Sequence, residues 1–239
     1  METLKLENNK TKMIAHRGLS GLEKENTAIA FIAAGNKSYY GIETDVRLTK
    51  DGEFVICHDD KLQRVAGVDM SISTSSYDEL SSICLFDLET GRPKNYLKIP
   101  KLTDYLEICK KYEKRAFIEI KELFLEADIV RLINLVKQHH YLHSTIFISF
   151  YLKNLQLVRK QNSEVQLQFL TTDLDNNIIN EVRKINAGID IEYQCLSKEQ
   201  VELCHHHNIA VNVWTVNNPI VALMLITWNV DFITTNILE

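Results

Sequence analysis

The sequence predicts an α/β fold, a (β/α)8 TIM barrel, on three observations. Eight short β-rich runs alternate with amphipathic helical runs along the 239 residues, the order that builds a parallel sheet flanked by helices. No break in composition divides the chain, so residues 1–239 are expected to form a single domain, and α/β barrels reach this size as one unit. No G-x-G-x-x-G follows the first apolar run, which weighs against an open doubly wound sheet.

The strand candidates are 13–15, 42–48, 116–120, 145–149, 167–170, 188–192, 210–214 and 232–234. Helix candidates fall near 27–35, 102–111, 126–139, 152–161, 177–186, 197–206 and 219–228. Their starts carry capping chemistry: Ser197 with Gln200 makes a capping box, and Asn218 precedes a first-turn Pro219. Leu102, Tyr105, Leu106 and Cys109 share one helical face. Segment 59–99, after the second strand region, is longer than a usual βα connection. Its Ser/Thr run at 71–76 and Gly91-Arg92-Pro93 mark a short insertion on the catalytic rim. Only five residues follow the last strand candidate, so the last outer helix is predicted to be truncated or missing.

Composition excludes several functions. Hydrophobic residues make up 45% and charged residues 25% of the chain, ordinary values for a protein with a buried core. A formal charge of -5 does not suit nucleic acid, whose phosphates need a basic surface. No Lys/Arg cluster marks an anionic membrane surface, and the longest apolar run, 220–226, is too short to cross a bilayer. The 5 cysteines form no C-x-x-C pair, which fits reduced thiols. Residues 1–12 contain no apolar core segment. A cytoplasmic protein without stable membrane insertion is expected, acting on a small molecule.

The chemistry lies at the carboxyl ends of apolar runs. Met13-Ile14-Ala15 leads into His16-Arg17-Gly18, and Phe54-Val55-Ile56-Cys57 into His58-Asp59. Glu43 and Asp45 are two apart and share one face of their strand, as do Glu119 and Lys121 on theirs. Barrel enzymes draw catalytic residues from the C-terminal ends of several strands. Glu43, Asp45 and Glu119 would converge at the mouth, where without a counter-charge they would repel. A single divalent cation removes that cost, and oxygen-only ligands favour Mg²⁺ or Ca²⁺. On this reading, Asp45→Asn is expected to raise the melting temperature of the metal-free protein. Arg17 and Lys121 suit phosphate oxygens, and His16 and His58 can accept and donate protons near neutral pH.

Taken alone, His16 reads as a satisfied strand-end histidine; beside the other groups that reading falls. Asp59 reads as an orienting residue, Asn26 and Thr27 as helix-capping residues, and His205-His206-His207 as a solvated helix end. Trp228 reads as packing, and Trp214 suits core or substrate wall equally.

The run His16-Arg17-Gly18, Glu25-Asn26-Thr27, Glu43-Thr44-Asp45 and His58-Asp59 resembles the glycerophosphodiester phosphodiesterase family. Leu48-Thr49-Lys50-Asp51-Gly52, Leu62-x-Arg64, Ile118-Glu119-Ile120-Lys121, Ser149-Phe150, Trp214-Thr215-Val216-Asn217 and Val230-Asp231-Phe232-Ile233-Thr234 are similar to it as well. The resemblance implies a barrel that hydrolyses glycerophosphodiesters to glycerol 3-phosphate and an alcohol. It assigns the metal to Glu43, Asp45 and Glu119, and acid and base to His16 and His58. Phosphate falls to Arg17 and Lys121, and the glycerol side to Trp214 and Phe150. Departures touch loops: Lys24 stands where the family commonly has proline, Asn229 where glycine is usual, and Ile237 where proline is usual. Two alternatives are a lysophospholipase D and a non-catalytic phosphate-ligand-binding homologue. An apolar rim on segment 59–99 would favour the first; loss of His16 or His58 would have favoured the second.

Overall fold

The computed structural model describes residues 2–7 and 10–239; Met1, Asn8 and Asn9, part of the stretch 1–12 read above for an apolar segment, lie outside them. In chain order the elements are β1 (Lys12–Ala15), α1 (Ala28–Gly35), β2 (Gly41–Leu48), β3 (Phe54–Ile56), α2 (Gln63–Ala66), α3 (Tyr77–Ser82), α4 (Leu102–Lys111) and β4 (Arg115–Ile120). They continue as α5 (Glu126–Gln138), β5 (Thr145–Ser149), α6 (Leu152–Gln161), β6 (Gln166–Thr171), α7 (Asn176–Lys184) and β7 (Gly188–Glu192). α8 (Lys198–His206), β8 (Val211–Trp214), α9 (Pro219–Thr227) and β9 (Phe232–Thr235) follow.

Every predicted strand and helix is present, with ends moved by a residue or two. β1 pairs with both β2 and β9, so eight parallel strands close into a (β/α)8 barrel. Alternation along the strands makes two apolar layers. Ile14, Phe117, Ile146, Ile148 and Leu170 fill the barrel. Ile42, Ile118, Phe147, Ile189 and Val213 face outward against helix residues such as Leu102, Tyr105 and Leu106. The predicted caps form: Ser197 and Gln200 exchange bonds at the start of α8, and Asn218 Oδ1 accepts from the Ile220 N–H at 2.9 Å.

Two sequence expectations are revised. The run ending at His58 is no barrel strand. β3 lies antiparallel on the end of β2, Val46 opposite Ile56 and Leu48 opposite Phe54. The hairpin returns the chain to the barrel mouth, where the Cys57 N–H donates to the Asp45 carbonyl at 3.0 Å. Segment 59–99 is also more than a loop. It carries α2, α3 and an apolar cluster that includes Val55, Leu62, Ile72, Leu80 and Ile99, so it is a packed platform beside the mouth.

No helix follows β9 among the described residues; instead the Leu6 N–H donates to the Glu239 carbonyl at 2.7 Å and the Glu239 N–H to the Leu4 carbonyl at 2.8 Å. All 5 cysteines are free. Among the described residues no helix is long and apolar enough to cross a membrane.

Candidate active site

Glu43 and Asp45 come from β2 and Glu119 from β4, with Asp45 directly opposite Glu119 in the parallel register. One oxygen from each lies within 4.8 Å of the others, and this is the only such group of metal-binding residue types among the described residues. His205-His206-His207 ends α8 without forming one; His205 Nε2 instead lies 2.9 Å from Asp231 Oδ2.

The three carboxylates do not stand without counter-charge. Lys121 Nζ lies 2.8 Å from Glu119 Oε1 and 3.4 Å from Asp45 Oδ1, and Arg17 Nε lies 3.2 Å from Asp45 Oδ2. Asn26, in a left-handed conformation at φ 56°, donates its amide to Asp45 Oδ2 at 2.7 Å and accepts from Thr44 Oγ1 at 2.9 Å. It is therefore a second support of the site, whereas Thr27 does cap α1. Burial alone would raise the Asp45 carboxyl, but Arg17 and Lys121 outweigh it and hold Asp45 well below the usual carboxylate range. Burial, Asp45 and Glu119 push Glu43 well above that range, and burial with Asp45 pushes Glu119 up to about 7.

The trio is thus one anchored anion and two acids that resist ionisation, and the expectation for Asp45→Asn reverses. Asp45→Asn should lower the melting temperature of the metal-free protein. It strips Arg17 and Lys121 of their shared partner and sets an amide against the Asn26 donor. Removing one partner of a buried ion pair costs roughly 3–5 kcal/mol, about 10 °C at this chain length. Glu43→Gln keeps the acceptor for the Arg17 N–H and should leave the melting temperature unchanged or higher. Thermal melts in chelator check the contrast; an Asp45→Asn protein more stable than Glu43→Gln would contradict it.

Arg17 is placed by its backbone. It sits in the left-handed region at φ 54°, at a cost of about 1–2 kcal/mol for a residue with a side chain. That turn lets the Arg17 N–H donate to Glu43 Oε2 at 2.8 Å while Nη1 reaches Glu25 Oε1 at 3.0 Å. Gly18 follows at φ 77°, and a Cβ there would lie 2.7 Å from the Ala30 carbonyl carbon.

The two histidines are held alike. His16 Nδ1 lies 2.7 Å from Asn236 Oδ1 and His58 Nδ1 lies 2.6 Å from Asp59 Oδ1. An amide or carboxylate oxygen accepts, so each Nδ1 carries the proton and each Nε2 is left as the working atom. His16 Nε2 is 4.0 Å from Glu43 Oε2. Burial, then Arg17, lowers His16 to about 4, so it is neutral at physiological pH. Burial also lowers His58, with Asp45 and Asp59 opposing. Asp59 is fixed in turn: Arg64 Nε lies 2.5 Å from its Oδ2, and the Arg64 Nη atoms bind both oxygens of Glu25 at 2.8–2.9 Å. Arg47 donates to the His58 carbonyl at 2.6 and 3.0 Å, fixing the turn after β3.

A pocket of about 110 Å³ is lined by His16, Arg17, Glu43, His58, Glu119 and Lys121 together with the rings of Phe150 and Trp214. The two rings meet edge to face at 5.9 Å, which makes Trp214 a pocket wall. Trp228 packs against the core.

The sequence profile of the Glycerophosphoryl diester phosphodiesterase family matches residues 16–239. The chain belongs to this family. It is 30% identical to a glycerophosphodiester phosphodiesterase of Bacillus altitudinis, covering 95% of this chain and 94% of that one. Its fold matches an Oleispira antarctica phosphodiesterase in complex with the product sn-glycerol-3-phosphate, with a TM-score of 0.87, 26% identity and 97% and 95% of the two chains covered. A glycerophosphodiester phosphodiesterase of Parabacteroides distasonis gives a TM-score of 0.81 at 28% identity over 95% and 93% of the chains.

In this member of the phosphodiesterase family the trio fits a hard cation on its own geometry. All candidate donors are oxygens, and Asp45 Oδ1 is buried without a hydrogen-bond partner although Lys121 stands beside it. Sequence reasoning gave Asn26 only a capping role and left three contributors without any: Arg64, Asn236 and Asp190. Asp190 carried the same signal as Glu43, an acid inside an apolar strand, and it lines the pocket.

Proposed function

We propose that this protein hydrolyses glycerophosphodiesters to glycerol 3-phosphate and an alcohol, with one Mg²⁺ or Ca²⁺ held by Glu43, Asp45 and Glu119. The observation that carries the reading is a cluster of three carboxylates, with Glu43 and Glu119 lining one pocket together with two fixed cations and two histidines whose Nε2 atoms are free. When bound, the cation would neutralise the carboxylates and draw electron density from the phosphodiester oxygens. Arg17 and Lys121 hold the remaining phosphate charge. Neutral His16 accepts a proton at Nε2 from the attacking oxygen. His58, whose protonated form Asp59 stabilises, delivers one from Nε2 to the departing alcohol oxygen. Glu25 and Arg64 hold Asp59, and so the His58 ring, in place. The 5 free cysteines support a reducing compartment, and we place the protein in the cytoplasm.

Cation binding should be pH-dependent in a stated direction. Glu119, raised to about 7, and Glu43, raised well above the usual carboxylate range, must both lose their protons to ligate, so affinity should fall by at least about tenfold per pH unit below neutrality. Calorimetric titrations with Mg²⁺ or Ca²⁺ at pH 5.5, 6.5 and 7.5 check this; a flat affinity would contradict it.

A second reading, a lysophospholipase D, has one observation in its favour. Leu123, Leu125, Phe150 and Tyr151 are all exposed on the loops after β4 and β5. Asn154 pins the two loops together, accepting from the Phe124 N–H and donating to the Glu122 carbonyl. These loops thus offer an apolar rim, while segment 59–99 exposes Leu88 and Tyr96. Comparing kcat/KM for glycerophosphocholine, glycerophosphoethanolamine and lysophosphatidylcholine separates the readings. The two water-soluble diesters should be cleaved at similar rates and ahead of the lysolipid; a clear preference for the lysolipid would establish the second reading.

A further inference from the structure

The outer helices of the barrel turn charged side chains to water, and α9 does not. α5 to α8 carry ion pairs on their exposed surfaces, Lys160 with Glu126, Lys184 with Glu181 and Lys198 with Glu202. α9, from Pro219 to Thr227, has no charged residue. Its Ala222, Leu225 and Ile226 are buried in the core. The opposite face consists of Ile220, Leu223, Met224 and Thr227, all exposed, Ile220 by 76%. A helix that is apolar all round is normally covered all round. An uncovered apolar stripe of this kind, a few hundred Å² in extent, marks an interaction site.

Three observations say what covers it. The exposed residues recur at i, i+3, i+4 and i+7, the seam along which one helix packs on another. The poles of α9 are bare, with no acid in the first turn and no base in the last; an antiparallel helix brings its opposite poles alongside and offsets them. The flank of α9 is also open, since no outer helix follows β9 among the described residues. There Pro219, Leu4, Leu6, Lys5 and Lys37 line a hollow of about 610 Å³. A lipid surface suits the stripe poorly. Helices that lie on membranes set Lys and Arg opposite their apolar face, whereas α9 has neither and the chain carries a formal charge of -5. A second copy of the chain brings a helix with the same seam and the same bare poles, and a twofold axis crossing the helix sets the two antiparallel.

We propose that α9 is the centre of a homodimer interface, in which Ile220, Leu223 and Met224 of two copies pack antiparallel across a twofold axis. Leu223 is the middle residue of α9, so it meets its own copy on the axis. A standard interface takes roughly 800 Å² from each partner; the stripe forms its apolar core and the hollow at Pro219 part of its rim. No residue of α9 lines the active-site pocket, so assembly leaves the mouth free.

Sedimentation analysis of the full chain between about 1 and 500 μM tests the proposal. Wild type should be a dimer at the top of that range. Leu223→Lys and Leu223→Glu each set like charges face to face on the axis and should weaken association at least about 100-fold. Leu223 is 45% exposed, so either side chain fits the monomer, and melting temperatures at the lowest concentration should match wild type. An equimolar mixture of the two variants should recover the dimer. Single variants that still dimerise, or a mixture of folded variants that stays monomeric, overturn the proposal. A wild type that is monomeric throughout overturns it as well: co-sedimentation with phosphatidylcholine vesicles would then assign the stripe to a lipid surface, and its absence to a different protein.

Discussion

His16→Ala and His58→Ala should each lower kcat on glycerophosphocholine by roughly 10²–10⁴-fold, the contribution of a positioned acid or base. Both rings stand in the pocket with Nδ1 bound, one by Asn236 and the other by Asp59, so each offers a single proton-transfer atom. Because the two act on one displacement, the double variant should lose far less than the product of the single losses. Asp59→Asn keeps one oxygen for the His58 Nδ1–H but removes the charge and sets its amide against Arg64 Nε, and with the imidazole retained it should cost less than His58→Ala. Steady-state kinetics on cation-saturated protein decides the matter, and a near-normal kcat in either alanine variant counts against the scheme.

Removing the cation should abolish turnover altogether, and Mg²⁺ or Ca²⁺ should restore it. Two of the three carboxylates resist ionisation while they crowd one another without the ion: Glu43 lies well above its usual range and Glu119 at about 7. Lys121 and Arg17 satisfy Asp45 but leave its Oδ1 without a hydrogen bond, so the fixed cations alone do not complete the site. Activity measured after dialysis against EDTA, then with each ion added back, gives the answer. Full activity in excess chelator would remove the cation from the account.

Much of this was legible in the sequence because the barrel writes its period into the chain. Outward and inward faces both need apolar residues, so strands such as 116–120 read as runs, and an acid or histidine at a run's end stands out. That signal found Glu43, Asp45, Glu119, Lys121 and His16. It found His58 for a partly wrong reason, since Phe54–Ile56 is the return arm of a hairpin and not a stave of the barrel. An antiparallel arm and a parallel strand have the same local pattern, and only the partner distinguishes them.

The counter-charges beside Asp45 were misjudged because spacing along a strand fixes a face but not the reach of Arg17 or Lys121 from neighbouring turns. Asn236 and Arg64 were given no role because their contacts span 220 and 39 residues of sequence, beyond any local pattern. Asn26 was read as a cap because asparagine before a helix usually is one; its left-handed backbone turns the amide into the site instead.

The most direct test of the central claim is which bond breaks. Glycerophosphocholine incubated with the Mg²⁺- or Ca²⁺-loaded protein and followed by phosphorus NMR should yield glycerol 3-phosphate and free choline, with no signal in the Glu119→Gln protein. Phosphocholine as the product, or an intact diester after prolonged incubation with the loaded wild type, would contradict the account.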